Sequence, residues 1–341
     1  MSMTTPLQAV SRSLGALQGL ALGDALGMPT QSMSAEWIKQ AYGTIDGLRD
    51  AIADQPIAPN MPAGSVTDDT EQALIVARLI INGEGHIDAL ALAHELLDWE
   101  DDMRARGSHD LLGSSTKLAL EHIRNGADGR TTGRTGTTNG AAMRVTPVGI
   151  ANPSSDVRRL AERVHESCKV THNTVHGFTS AALVAAAVSF GIDGANTRDA
   201  LEEAVQCITR MRDFIADFDC AWSAKADVVA RTEVALNAAS HATDTEFEHF
   251  LHNVCGTSVE SNESIPAAFA LAWRFADEPF VALCEAVSLG GDTDTIAAMC
   301  GAILGASGAA NAFPEHVIAT ITQVSRLNLE PLAQQLCALR G

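Results

Sequence analysis

Apolar residues recur at helical spacing along almost the whole chain, and this periodicity is what most limits the folds open to it. Positions three and four apart, such as Ala73, Val76, Ala77 and Ile80, place apolar side chains on one face of an α-helix. Alanine, the strongest helix former, is abundant throughout. The sequence contains no series of alternating strands with hairpin turns, and no short Val/Ile runs alternate with the helices as a parallel α/β sheet would require. The pattern predicts an all-α fold.

Glycines recur every fourth residue in the first helical segment. This stripe consists of Gly15, Gly19, Gly23 and Gly27. Residues four apart lie near one face of a helix, and the missing side chains allow another helix or a ligand to approach the backbone closely. Gly301 and Gly305 repeat the spacing in a late helical segment. We expect helix packing, not ligand contact, to explain Gly15, Gly19 and Gly301.

The segment from Asn125 to Pro153 is rich in Gly, Thr and Arg and has no helical period. A long structureless segment inside a compact domain is typically functional or disordered. Apolar helices continue on both sides of it without a change of composition. We therefore predict one domain, residues 1–341, with a loop, and not two domains joined by a linker.

The chain is strongly acidic, with 42 Asp and Glu residues, 23 Lys and Arg residues and a formal net charge of -19. Such a surface repels phosphate backbones and anionic lipid headgroups, which argues against nucleic-acid and membrane partners. The charge keeps the protein soluble, and it also raises the local concentration of divalent cations. At this point solubility alone is an equally good explanation.

The seven cysteines form no Cys-x-x-Cys pair and have no His clusters beside them. This favours reduced thiols over disulfides or a zinc site. The N-terminus has no basic stretch followed by an apolar signal core. The apolar run from Phe178 to Phe190 is shorter than the roughly twenty residues that span a bilayer. We expect a cytoplasmic protein.

Two acidic turns have the same arrangement at the start of a helix. Thr67-Asp68-Asp69-Thr70 leads into the helical run 71–81, and Asp292-Thr293-Asp294-Thr295 leads into the run 296–304. Asp and Thr cap helices and complement the helix dipole, and Asp68 with Glu71 fits a capping box. Capping alone is sufficient to explain either turn taken singly.

Each turn brings two carboxylates, although one cap requires only one. The carboxylates are adjacent or one residue apart, where they repel each other unless a cation lies between them. Hard divalent cations prefer oxygen ligands, and each turn can supply three side-chain oxygens from Asp and Thr without His or Cys. If the turns meet in space, they predict a shared pair of Mg²⁺ or Mn²⁺ ions, which can bind a diol and orient a water.

Three further polar features interrupt apolar surroundings. Asp24 lies within the glycine stripe, Asn139-Gly140-Ala141-Ala142-Met143-Arg144 lies in the irregular segment, and Thr171-His172-Asn173 precedes an apolar helix. For His172, a solvated position in a helix N-terminal turn and a ligand-binding role are both open. The sequence contains no nucleophile elbow, P-loop or dinucleotide fingerprint.

Taken in order, these motifs resemble those of the ADP-ribosylglycohydrolases, the family of the dinitrogenase-reductase-activating glycohydrolase. The resemblance extends over most of the chain, from about Leu14 to Gly308, and includes Gly23-Asp24-Ala25-Leu26-Gly27 and both acidic turns. It implies a single compact, orthogonal multi-helix all-α domain with two Mg²⁺ or Mn²⁺ ions. The metal ligands that it implies are Thr67, Asp68, Asp69, Asp292, Asp294 and Thr295.

The resemblance also implies the reaction, which is cleavage at the anomeric carbon of an ADP-ribosyl group on a protein side chain or a small conjugate. Asp110 resembles an acid that acts on the ribose, so the expected base is Asp110 or a metal-bound carboxylate, Asp69 or Asp292. The expected substrate contacts are Asp24, Gln31, Asn139, Gly140, Arg144, His172 and Asn173.

Gln31 departs from the family pattern, because many relatives carry Glu at that position, seven residues after Asp24. A glutamine cannot take a proton from water at neutral pH, so that role is absent or moved, for example to Asp110. Aromatic residues, which often form adenine sites, are sparse, and Tyr42 is the single tyrosine. A smaller riboside such as a nucleoside is therefore an alternative substrate. Two non-enzymatic roles also stay open, that of an ADP-ribose-binding protein without activity and that of a structural protein.

Overall fold

Helices account for the regular secondary structure of residues 5–106 and 112–341, the part of the chain that the computed structural model describes. In chain order the α-helices are α1 (Pro6–Gly27), α2 (Ala35–Tyr42), α3 (Asp68–Asn82), α4 (Ala89–Ala105), α5 (Ser114–Arg124), α6 (Gly129–Thr132), α7 (Gly140–Met143), α8 (Thr146–Ala151), α9 (Val157–His172), α10 (Val175–Ile192), α11 (Thr197–Ile215), α12 (Val228–His241), α13 (Asp244–Phe250), α14 (Ser261–Arg274), α15 (Pro279–Ala286), α16 (Thr293–Gly308), α17 (Glu315–Val324) and α18 (Leu329–Ala338). A π-helical turn at Leu251–Cys255 continues α13. Within these ranges β pairing is limited to isolated bridges, so the all-α prediction is confirmed.

The outer helices follow the predicted periodicity. In α9 the buried residues Leu160, Val164 and Cys168 recur every fourth position and face the core. Asp156 begins this helix, because its carboxylate accepts a hydrogen bond of 3.0 Å from the backbone N–H of Arg159. Local capping and an apolar stripe are therefore sufficient to explain where α9 starts and which face it buries.

Helix α10 lies at the centre of the molecule. Every residue from His176 to Ile192 is buried, and the helix extends beyond the apolar run Phe178–Phe190 at both ends. By length and composition α10 could cross a membrane, but 94 % of it is buried inside the protein. Helices α8, α9, α11 and α16 pack around it. A helix that is apolar on all sides is typical of the core of a large domain.

The glycine stripe of α1 packs against α16 along its whole length. A Cβ on Gly19 would lie 2.0 Å from the carbonyl oxygen of Gly301, and a Cβ on Gly23 would lie 2.0 Å from that of Ala297. Such distances mean that the two backbones are in direct contact, which side chains at these positions would prevent. The structure confirms that helix packing explains Gly15, Gly19 and Gly301. It also brings the start of α16 beside the end of α1.

The segment 125–153 is less irregular than its sequence suggests. It contains three short helices, α6, α7 and α8, and the residues of α8 are all buried against α10. One or two helical turns are too short to show a period in the sequence, and tertiary packing stabilises them instead. The prediction of a segment without helical structure is therefore wrong.

Candidate metal centre and substrate cavity

Asp24 of α1 anchors the first acidic turn. Its carboxylate accepts hydrogen bonds from the backbone N–H groups of Thr67 at 3.0 Å and Thr70 at 3.1 Å, and from both threonine hydroxyls. Asp24 is fully buried. The carboxylate thus satisfies the free N–H groups at the start of α3, as an N-cap would, but it comes from another helix.

The second acidic turn is placed by the end of the glycine stripe. A Cβ on Gly27 would lie 2.3 Å from the Cα of Asp294, so only a glycine allows this approach of α1 to the start of α16. The hydroxyl of Thr295 donates a hydrogen bond of 3.2 Å to Asp69 Oδ2. This contact joins the two acidic turns, which are separated by 226 positions in the sequence.

Neither acidic turn uses its own carboxylates as helix caps. The N-cap residues of α3 and α16 are Thr67 and Asp292, and neither makes a side-chain capping hydrogen bond. Asp292 Oδ2 instead accepts a hydrogen bond of 2.5 Å from Asn139 Nδ2. Glu71, the other half of the suspected capping box, accepts one from the indole N–H of Trp99. Side-chain capping therefore does not account for these acids, and that part of the interpretation is wrong, although Asp68, Asp69 and Asp294 do lie in the first turns of α3 and α16, where they complement the helix dipole.

Burial and mutual repulsion raise the pKa values of the clustered carboxyls. Burial raises the pKa of Asp69 well above its usual range, and the charges of Asp294 and Asp68 raise it further. Burial also raises the pKa of Asp24 and of Asp292 to about 6. A cation among these groups would favour their charged forms and reverse these shifts.

The donor set of the two turns has the chemistry that a hard cation requires. Its side chains offer only carboxylate and hydroxyl oxygens, and Asp69 Oδ1 is buried without a hydrogen-bond partner in the described part of the chain. However, in residues 5–106 and 112–341 no three His, Cys, Asp or Glu side chains are already arranged to hold a metal ion. The oxygens thus fit Mg²⁺ or Mn²⁺ by type, and the two-metal centre stays a prediction.

A cavity of about 320 Å³ opens over the acidic turns. Four of the predicted metal ligands line it, namely Asp68, Asp292, Asp294 and Thr295, whereas Thr67 and Asp69 are buried and do not belong to the lining. Of the predicted substrate contacts, Gln31, Asn139 and Gly140 line the cavity. The lining also includes side chains that were not predicted, which are Ser32, Ile57, Leu112, Ser114, Thr138, Met143 and Val259. Of these, Thr138 and Met143 adjoin or belong to a motif, Leu112 lies two residues after Asp110, and Val259 belongs to a polar segment, 256–263, whose composition suits ligand contact as well as a surface loop.

Gln31 is held next to the second acidic turn by its backbone. Its carbonyl accepts a hydrogen bond of 2.9 Å from Gln55 Nε2, and the N–H of Ser32 donates one of 2.7 Å to the carbonyl of Gly291. Ser32 has φ of 61°, a left-handed conformation that is uncommon outside glycine. The loop after α1 is therefore clamped to the residue before Asp292, with Gln31 in the cavity wall.

Four predicted substrate contacts lie outside the cavity lining. Asp24 anchors the first turn, and Arg144 and His172 are fully buried in the wall behind the cavity. Asn173 Oδ1 accepts a hydrogen bond from His165 at 3.2 Å. A solvated position for His172 is wrong, because its ring is bonded to Thr138 and Thr171 at 0 % exposure.

Asp110, the predicted catalytic acid, lies outside the described residues. The residues that follow it in the chain, Leu112, Gly113 and Ser114, line the cavity. Its role therefore stays a prediction.

Comparison with known proteins places this architecture in a known group. Residues 4–341 match the family model described as ADP-ribosylglycohydrolase. The chain is 34 % identical over 332 residues to the uncharacterized protein YegU of Escherichia coli (strain K12), covering 96 % of this chain and 97 % of that one. It is 25 % identical over 344 residues to the ADP-ribosyl-[dinitrogen reductase] glycohydrolase of Rhodospirillum rubrum, covering 97 % of each chain.

A solved structure shares the fold. The chain superposes on a protein titled "ADP-ribosylglycohydrolase-related protein complex" with a TM-score of 0.69 and 23 % sequence identity, covering 98 % of this chain and 100 % of that chain. Agreement at this level over the full length confirms the fold class that the sequence predicts.

Proposed function

Since the chain belongs to the ADP-ribosylglycohydrolase family, whose members cleave glycosyl bonds, we propose that it hydrolyses the anomeric bond of an ADP-ribosyl group. The observation that carries the proposal is the contact between Thr295 and Asp69, which unites both acidic turns beneath one cavity. Relatives named as an ADP-ribosylarginine hydrolase and as an ADP-ribosyl-[dinitrogen reductase] glycohydrolase support this substrate class.

We further propose that the acidic turns hold two Mg²⁺ or Mn²⁺ ions. The residues that would hold them are Thr67, Asp68, Asp69, Asp292, Asp294 and Thr295. When bound, such ions supply charge that binds the ribose hydroxyls and lowers the pKa of water. The unpartnered Asp69 Oδ1 and the mutual repulsion of the carboxyls support this assignment.

The protein itself supplies orientation and a base. Asn139 donates from Nδ2 to Asp292 Oδ2 and to Ser264 Oγ at 3.0 Å, so the loop of the cavity wall is bonded directly to the second acidic turn. Gln31 can donate or accept a hydrogen bond but cannot act as a base at neutral pH. We propose, from the resemblance to the family, that the base is Asp110 or one of the carboxylates Asp69 and Asp292.

A smaller riboside is the second candidate substrate, and the amide of Gln31 in the cavity favours it. Because Gln31 has no carboxyl group, it cannot donate a proton to the leaving group, and a poor leaving group such as an alkoxide needs that proton. A nucleobase leaves more readily, because its ring stabilises the electron pair that it takes from the broken bond.

The experiment uses the full chain with Mg²⁺ or Mn²⁺ and with EDTA. Ribosyl release is measured from ADP-ribosylated arginine and serine peptides and from a panel of nucleosides. We expect release that EDTA abolishes, and a loss of roughly 100-fold or more in Asp292→Asn, since metal sites tolerate changes in ligands poorly. The exposed Asp54→Asn is the matched control.

Activity that persists in EDTA would contradict the metal centre. Release from nucleosides only would replace the ADP-ribosyl assignment by the riboside one. Tight binding of ADP-ribose without turnover of any substrate would identify a binding protein instead of a hydrolase.

A further inference from the structure

A continuous chain of hydrogen bonds runs through the wall behind the cavity, with Arg144 at its centre. Arg144 is one of the largest fully buried side chains, and its two terminal nitrogens bond to neutral groups. NH1 donates to Gln72 Oε1 at 3.1 Å, and NH2 donates to Thr171 Oγ1 at 2.6 Å. Burial lowers the pKa of Arg144 to about 10, so the guanidinium stays charged at neutral pH. The charge of Asp68 also acts on the guanidinium, but the hydrogen bonds of Arg144 go to neutral side chains, and burying a charge in this way is costly.

One arm of the chain reaches the first acidic turn. Because Arg144 donates to Gln72 Oε1, the amide of Gln72 is oriented with Nε2 facing the opposite way. Gln72 Nε2 donates to Asp68 Oδ2 at 2.9 Å. Gln72 is 1 % exposed, so no solvent competes for this orientation. This arm fixes the position of the Asp68 carboxylate at the cavity.

The second arm runs from Arg144 to His172, and the donor and acceptor of each of its hydrogen bonds can be assigned. A guanidinium has no acceptor, so Thr171 Oγ1 must accept from Arg144. In the described part of the chain the one acceptor bonded to the Thr171 hydroxyl is His172 Nδ1, at 2.8 Å. The Thr171 proton therefore points to Nδ1, and the neutral ring of His172 carries its own proton on Nε2. Burial and the charge of Arg144 lower the pKa of His172 well below its usual range, which keeps the ring neutral.

The last link ends at the cavity. His172 Nε2 lies 3.1 Å from Thr138 Oγ1, and with the proton on Nε2 it is the donor. Thr138 thus accepts from His172, and its own hydroxyl proton has no other acceptor among the described residues. Thr138 is 8 % exposed and lines the cavity beside Asn139 and Gly140. Its free proton is therefore available on the cavity side.

We propose that Thr138 is a substrate-binding residue that donates a hydrogen bond to an oxygen of the ribosyl ligand, and that Arg144 is the positioning residue that sets this direction through Thr171 and His172. The ligand oxygen must be an acceptor, either a hydroxyl or a phosphoryl oxygen. This assignment of a ligand rests on the proposed function. The donor and acceptor roles along the hydrogen bonds from Arg144 to Thr138 do not.

The direction is tested without any ligand. Long-range ¹H–¹⁵N spectra of protein labelled at its histidines distinguish the Nε2–H from the Nδ1–H tautomer, and His172→Gln identifies the signal of His172. We expect the Nε2–H tautomer in the wild type and a mixture in Arg144→Lys, whose single ammonium cannot replace the two-armed guanidinium. An Nδ1–H tautomer in the wild type would overturn the proposal even if Arg144→Lys does not fold.

Ligand binding is tested by calorimetry with ADP-ribose and with adenosine, which lacks phosphate. Removal of one neutral hydrogen bond in Thr138→Val should weaken binding about fivefold. Thr138→Ser keeps the hydroxyl and should bind within about twofold of the wild type, as should the control Thr137→Val, whose side chain does not line the cavity. A loss for both ligands assigns the bond to a ribosyl hydroxyl, and a loss for ADP-ribose alone assigns it to phosphate.

Unchanged affinity in Thr138→Val would overturn the substrate-binding role. If neither ADP-ribose nor adenosine binds the wild type, the proposed function fails for these ligands. The tautomer of His172 then still decides whether the hydrogen bonds from Arg144 to Thr138 have the proposed donors and acceptors.

Discussion

At the scale of single residues, Asp24 positions the candidate site although its own side chain does not line the cavity. Its two oxygens accept four hydrogen bonds from Thr67 and Thr70, which positions the turn that carries Asp68 and Asp69. A neutral side chain could not satisfy the same four donors, because an amide would direct its own N–H groups at some of them. The acid in α1 is therefore a structural part of the neighbouring acidic turn.

Asp24→Asn should destabilise the protein. A buried donor that loses its partner costs about 1–3 kcal/mol, so we expect a lower free energy of unfolding by about that amount and weaker binding of Mn²⁺. Urea denaturation and calorimetry measure the two effects. The control is Asp50→Asn, where an exposed carboxylate accepts a single bond from the N–H of Ala63. Equal stability of the two variants would contradict the anchoring role of Asp24.

At the scale of helices, the packing of α1 against α16 sets the distance between the two acidic turns. The glycine stripe allows backbone contact along both helices, and it ends where Gly27 meets Asp294. Any side chain in the stripe must push the helices apart and move the start of α16 away from α3. Stability and the geometry of the site are thus coupled through the same interface.

Gly23→Ala should therefore affect both properties. Its Cβ would lie 2.0 Å from the carbonyl oxygen of Ala297, and overpacking of this kind costs about 1–3 kcal/mol. We expect a lower melting temperature and a reduced stabilisation by Mn²⁺ in thermal denaturation. Gly47→Ala introduces the same methyl group where its nearest contact is 3.8 Å away, and it should leave both quantities unchanged. A normal response to Mn²⁺ in Gly23→Ala would show that the helix spacing does not control the site.

The limits of sequence reasoning lie at this same scale. The helical periods, the packing of the glycine stripe and the two acidic turns follow from local spacing, because each depends on residues close together in the chain. The contact of Thr295 with Asp69, the use of Asp24 as a distant cap and the place of Thr138 depend on tertiary packing. The short helices α6 to α8 escape prediction for the same reason, since one or two turns leave no period in the sequence.

At the scale of the whole molecule, a protein with a net charge of -19 buries carboxylates in its interior. Burial raises the pKa of Asp24 and of Asp292 from 3.8 to about 6. Between pH 4 and 6 the folded state therefore binds more protons at these groups than the unfolded state does. Their contribution to the free energy of unfolding is then present at low pH and falls as the pH rises through this window.

Protons and divalent cations should accordingly compete for the same oxygens. In EDTA, the contribution of these carboxyls predicts a melting temperature that falls between pH 4.5 and pH 7. Added Mg²⁺ or Mn²⁺ should raise the melting temperature at pH 7.5 and have little effect at pH 5, where protons occupy the carboxyls. Differential scanning calorimetry measures both series. Equal stabilisation by the cation at both values of pH would argue against binding at these carboxylates, and Asp292→Asn should reduce the stabilisation at pH 7.5.

The joining of α3 and α16 through α1 also has a consequence for how the protein assembles. Asp69 and Thr295 are 226 positions apart, so their hydrogen bond closes a loop of most of the chain. Contacts of such high sequence separation form late, after the entropy of loop closure has been overcome. A fragment that stops before residue 292 contains only one of the two acidic turns. Cation affinity is therefore expected to develop at the final step of folding, and a titration with Mn²⁺ would report the completion of the native topology.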